Sequence, residues 1–241
     1  MSEAKDVCEQ ICKVDKINAE AWLMLGMANK ELGLMDAAIV ALESAATLNP
    51  QDAFVQNEKG LLLAQAGRYR EAIDAFKHAL GDAPDPATVF VNMGVVYGLM
   101  GQPILALEAL DQAVRRNPQA PTTHIQRSVV LGMLGQHEEA LNAAKQALKL
   151  NRYDLEGNIR YSEALVGLER YDEALAAYGA CLAIIPDHFP TQQRVVEICR
   201  KATFDSPSAA HYELLRRAFT WRHVNVQDMA SFAASVFKAR D

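Results

Sequence analysis

The sequence predicts an all-α fold of stacked helical hairpins, and three observations predict it. A pattern of 34 residues runs five times from Ala19 without insertion or deletion, small residues return at fixed places within it, and glycine or proline closes its halves. The chain is 50% hydrophobic and 22% charged, which fits a globular protein able to bury a continuous core.

Before the repeats, residues 1–18 read as a partial repeat or an N-terminal capping helix. "EAKDVCEQICKVDK" fits the second helix of a hairpin, with Ala4 in a small position and Cys8 and Ile11 in core positions. Either it caps the array, or it continues a longer chain. Residues 19–188 hold the five repeats, starting at Ala19, Ala53, Ala87, Pro121 and Leu155. Small residues at Gly26, Gly60, Gly94, Ser128 and Ser162, and at Ala38, Ala72, Ala106, Ala140 and Ala174, let two helices approach, while Trp22, Leu25 and Leu42 fill the space between. Gly33, Gly67, Gly101, Gly135 and Glu169 stand at the turn between the helices. Pro50, Pro84, Pro118, Arg152 and Pro186 close each unit. A lone hairpin cannot bury its apolar face, so neighbours must stack. Residues 189–241 read as C-terminal capping or connector helices: Pro190 starts one with the apolar stripe Val195, Val196, Ile198 and Cys199, Ser206-Pro207 starts a second, and Asn225 with Asp228 starts a third.

These residues resemble the tetratricopeptide repeat family, whose pattern is Trp, Leu-Gly, Tyr, Ala, Phe, Ala, Pro. The resemblance spans Ala19 to His188 and implies a right-handed superhelix, an α-solenoid. Lys59 and Arg127 replace the usual Leu, Asn29 the usual Tyr, and Arg152 the usual Pro.

Charge and composition exclude several functions. The formal charge of −6 offers no general basic field for nucleic acid; residues from Phe189 onward carry +3, leaving −9 before them. No run of about eighteen apolar residues suits a membrane span, and the charged N-terminus lacks a signal-peptide core. The expected location is cytoplasmic. Cys8 and Cys12 share a helix face with no His or further Cys nearby, and with Cys181 and Cys199 they read as buried apolar thiols, so no metal or cofactor is expected. No HExxH, phosphate loop, nucleophile elbow or CxxC pair occurs, and His78, His124, His137, His188, His211 and His223 are scattered. The chain is not expected to be an enzyme.

The resemblance implies a concave face lined by residues two, five, six, nine, twelve and thirteen of each repeat. Carried over, these give a groove of Leu23, Met27, Phe54, Asn57, Leu61, Val91, Asn92, Val95, Ile125, Gln126, Val129 and Ile159. Its apolar floor suits a helix or extended segment of a protein partner, with Met27 and Met133 adding adaptability and Asn57, Asn92 and Gln126 offering hydrogen bonds; internal packing is the other reading. A carboxylate clamp, which needs Lys then Asn at positions five and nine, is missing: Leu23 and Met27, then Asn57 and Leu61, stand there. Of an asparagine ladder at position six, Asn92 alone fits. Lys59 and Arg127 either snorkel or reach a bound acidic group.

The expected function is a non-catalytic scaffold that captures a peptide or helix. Two alternatives stay open. One is the recognition arm of a larger enzyme, a methyltransferase or glycosyltransferase, because "HYELLRRAFTWRHVNVQDMASFAASVFKAR" resembles the helical connector between bacterial repeat arrays and appended transferases. The other is self-assembly, giving a homo-oligomer.

Overall fold

A computed structural model describes residues 2–201, 209–218, 220–221 and 233–234. The helices among them are α1 (Ser2–Val14), α2 (Ala19–Glu31), α3 (Met35–Leu48), α4 (Ala53–Gln65), α5 (Tyr69–Ala79), α6 (Pro86–Leu99), α7 (Pro103–Arg116), α8 (Pro121–Met133), α9 (His137–Leu150), α10 (Leu155–Gly167), α11 (Tyr171–Ile184), α12 (Phe189–Lys201) and α13 (Ala209–Ala218). No strand occurs among the described residues. Two compact units divide the chain, Met1–Pro118 and Gln119–Asp241.

In the first unit α2 pairs with α3, α4 with α5, and α6 with α7, while α1 lies on α2. Helix starts are set by capping side chains: Asn18 accepts from the Ala21 amide at 2.9 Å and Asp52 from that of Val55 at 3.0 Å. The hairpins close because glycine leaves room. A Cβ on Gly26 would stand 2.7 Å from Leu42 Cδ2, and one on Gly60 2.6 Å from Phe76 Cε1. Ala38, Ala72 and Ala106 are fully buried on the facing helices. Leu62, Leu63, Phe76, Val89, Met93 and Val96 then join in one core running through α4, α5 and α6. At the turn, Gly67 adopts φ 76° and the Arg68 amide bonds back to the Leu63 carbonyl at 2.8 Å.

Helix α1 corrects the sequence reading. Cys8 and Cys12 are its buried residues, packing with Ala21, Leu25 and Ala41, whereas Ala4 is exposed and Ile11 is 42% exposed. The four-residue spacing of the two thiols sets the face that meets α2, and Ile11 lies off that face.

In the second unit α8 pairs with α9 and α10 with α11; α10 also packs on α8 and α9, and α12 and α13 both pack on α11. Serine serves here where glycine served before. Ser128 Oγ donates to the Ala140 carbonyl on the partner helix at 2.9 Å, and Ser162 Oγ to Asn158 of its own helix at 2.8 Å. Glu169 occupies the turn with φ 58°, and the Arg170 amide closes it on the Leu165 carbonyl at 2.9 Å. The stripe on α12 is buried as its pattern implies, with Val195, Val196, Ile198 and Cys199 all inside. Arg217 of α13 donates to the Leu182 carbonyl of α11 at 2.9 Å, so one residue of the basic tail serves a helix end. The starts expected at Ser206-Pro207 and Asn225 lie outside the described residues.

Candidate functional site

The expected groove residues fall in both units. In the first, α2, α4 and α6 carry Leu23, Met27, Phe54, Asn57, Leu61, Val91, Asn92 and Val95. Phe54 is 53% exposed and Val95 36%, and Met24 and Leu99, at the sixth and thirteenth positions of their repeats, are 58% and 59% exposed. Met27 and Val91 are half-buried. Leu23 and Leu61 are half-buried because their inner sides pack on the core. Asn92 Nδ2 donates to Asn57 Oδ1 at 3.0 Å, joining α6 to α4. That bond consumes one donor and one acceptor and leaves the amides further capacity.

Lys59 is half-buried, and burial lowers its pKa against the opposing pull of Glu43 and Glu71. Those carboxylates belong to α3 and α5, and they are the same ones that Arg68 binds at 3.3 and 2.5 Å.

The second unit holds Ile125, Gln126, Arg127, Val129 and Ile159. Ile125 departs from the expectation. It is 4% exposed on α8, too buried to offer surface. Gln126, Arg127, Val129 and Ile159 are half-buried. Val129 and Met133 border a cavity of about 500 Å³ among α8 to α12. Its other walls include Arg160, Glu163, Tyr178, Arg194 and Glu197. Arg160 pairs with Glu163 at 2.5 Å and also with Glu156, and Arg194 pairs with Glu197 at 2.9 Å.

Sequence reasoning missed Tyr178. It is 1% exposed, and its hydroxyl has no hydrogen-bond partner. The available signal was periodic: Leu42, Phe76, Leu110 and Ala144 hold the same slot at 34-residue intervals, and none carries a polar side-chain atom. Among the described residues no cluster of His, Cys, Asp or Glu suits a metal ion, and no helix is long and apolar enough to cross a membrane.

Comparison with known proteins agrees with this geometry. Models described as tetratricopeptide repeat match residues 19–52, 155–188 and 57–121. Superkiller protein 3 of Saccharomyces cerevisiae is 28% identical over 82 residues, which cover 34% of this chain and 6% of that protein. The chain therefore spans a small part of that curated relative's length. The crystal structure of YrrB, described as a repeat protein of this type with an unusual peptide-binding site, aligns with a TM-score of 0.63 at 21% identity, covering 79% of this chain and 98% of that one. The C-terminal part of a repeat protein from Cytophaga hutchinsonii aligns with a TM-score of 0.77 at 13% identity, covering 95% and 93%.

Proposed function

The chain belongs to the tetratricopeptide repeat family, and on that premise we propose that it is a non-catalytic scaffold that holds a peptide or helix of a protein partner on the first helices of its repeats. One observation carries the reading. Met24, Phe54, Val95 and Leu99 stand exposed on α2, α4 and α6, at positions that the family offers to ligands. Apolar side chains left in water at such positions gain by covering an apolar partner face. The Asn57–Asn92 pair beside them has spare capacity for a partner backbone. YrrB, a fold relative with a peptide-binding site, is consistent with the reading.

Val95→Asp and Phe54→Asp test it. Both change exposed side chains, whereas Leu61 also packs on the core and would confound binding with stability. A protein captured from native lysate by the wild-type chain should be lost from both variants at unchanged helicity. Equal capture by all three proteins would overturn the proposal.

A further inference from the structure

The fourth repeat departs from the common pattern where it closes. Arg152 stands where the other repeats have Pro50, Pro84, Pro118 and Pro186, and Tyr153 where they have Gln51, Asp85, Gln119 and Asp187. The fold does not require the change. Asn151 has φ −142° and ψ 93°, close to the values of Asn49 (−132°, 83°) and Asn117 (−137°, 84°), each of which precedes a proline. In all three the asparagine amide bonds to a helix carbonyl at 2.9 Å. This extended conformation is the one that proline imposes on the residue before it, so the turn would accept proline at 152. The side chains of Arg152 and Tyr153 are left to serve something else, and both are exposed, Tyr153 by 77%.

Both border an open groove of about 790 Å³ between α9 and α11. Lys145, Leu148 and Lys149 share one face of α9, and the groove gathers them with Arg152. Among the described residues no Asp or Glu lines it. Asp154, next to Tyr153, caps α10 through the Gly157 amide at 2.8 Å, and Glu173, which feels Lys145, is bound by Arg170 at 2.7 Å. The rest of the wall is apolar, with Leu148, Ala180 and the 42%-exposed Ile184. Ala180 also breaks the pattern, since Ser44, His78, Gln112 and Gln146 hold its place elsewhere.

Three cations beside an apolar wall, in a chain whose formal charge is −6, favour a ligand that is both acidic and apolar. A nucleic acid strand would match the cations but not the wall: single strands use aromatic stacking platforms, and among the described residues Tyr153 is the one aromatic ring in the groove. We propose that this groove docks an acidic, amphipathic segment of a protein partner, with its carboxylates on Lys145, Lys149 and Arg152 and its apolar side chains on Leu148 and Ile184. The site is separate from the exposed apolar residues of α2, α4 and α6 and does not depend on them.

The test titrates the full chain into a fluorescein-labelled, C-terminally amidated peptide, Glu-Asp-Leu-Glu-Glu-Leu-Asp, and follows fluorescence anisotropy. Its uncharged counterpart, with Gln and Asn for Glu and Asp, and a labelled oligothymidylate are titrated beside it. We expect saturable binding of the acidic peptide that weakens as salt rises and that neither control matches. Arg152→Pro/Tyr153→Gln, which restores residues found in the other repeats, should keep wild-type helicity and weaken the acidic peptide about fivefold or more. Lys149→Glu, an exposed change on α9, should weaken it by a similar factor. No saturable binding, equal binding of the uncharged peptide, tighter binding of oligothymidylate, or unchanged affinity in either variant would each overturn the proposal. Val95→Asp, in the first unit, should bind the acidic peptide as wild type does; a loss there would place the peptide on the first unit and overturn it too.

Discussion

Lys30 Nζ stands 2.7 Å from Glu58 Oε2, tying α2 of the first repeat to α4 of the second. The carboxylate side chain is only 11% exposed and the lysine 29%, so the pair is screened less than a surface bridge. Lys30→Met would leave Glu58 buried without its cation. We expect a loss of about 1.5–3 kcal/mol, read from urea unfolding, and recovery of most of it in Lys30→Met/Glu58→Leu. A single variant as stable as wild type would show that the pair contributes nothing net.

Two helical glycines with opposite surroundings should respond in opposite directions. Gly60→Ala puts a methyl 2.6 Å from the fully buried Phe76 ring and should cost about 1–3 kcal/mol. Gly179→Ala, inside α11 with nothing within 4 Å of the added carbon, should gain about 0.5–1 kcal/mol. Thermal unfolding of the two variants in parallel separates packing from propensity.

The turn at Glu169 is held at φ 58°, where Gly33, Gly67, Gly101 and Gly135 stand in the other repeats. An L side chain in that region costs roughly 1 kcal/mol. Glu169→Gly should recover part of it as a higher midpoint of thermal unfolding. A lower midpoint would mean that the Glu169 side chain contributes more than its backbone conformation costs.

Removing the unpaired hydroxyl should stabilise the protein. Tyr178→Phe keeps the ring and deletes a buried group that has no partner, a group worth about 1–3 kcal/mol of desolvation. The variant should unfold at higher urea concentration than wild type; a lower midpoint would show that the hydroxyl contributes more than its desolvation costs.

Alkaline conditions should loosen the second unit. Burial pushes the Cys181 thiol up to about 11 and the Cys199 thiol to about 12, from an ordinary value of 9.0. Above pH 9 the unfolded chain releases these protons and the folded chain retains them, so stability is full below that point and falls as pH rises toward the folded values. Cys199→Ala should flatten the decline between about pH 9 and 12. An equally steep decline in that variant would assign the effect to other groups.

The hairpins were legible because their physics is local and repeated. A glycine facing Leu42 or Phe76 and a residue at positive φ recur every 34 positions, and the period exposes them. Ile11 and Ile125 were misread for a different reason. Register assigns a residue to a face, but burial depends on which neighbouring helices cover that face, and α8, which carries Ile125, packs on both α9 and α10. Lys59 was ambiguous because the sequence does not say which carboxylates surround an ammonium, and Glu43 and Glu71 come from helices on either side of its own. Tyr178 was hidden by its resemblance to the aromatic and aliphatic residues of its slot. Its lack of a partner is a property of three dimensions alone.

The four cysteines are free and buried, with Cys8 and Cys12 in the first unit and Cys181 and Cys199 in the second. A thiol reagent in solution meets them only when the helices around them part. Each unit therefore carries a built-in clock, and the rate at which a disulfide dye is consumed times its opening without an engineered label. Cys8 and Cys12, at 8% and 4% exposure, should run faster than Cys181 and Cys199, both at 0%. Blocking one pair and following the other would reveal whether the two units breathe independently or together.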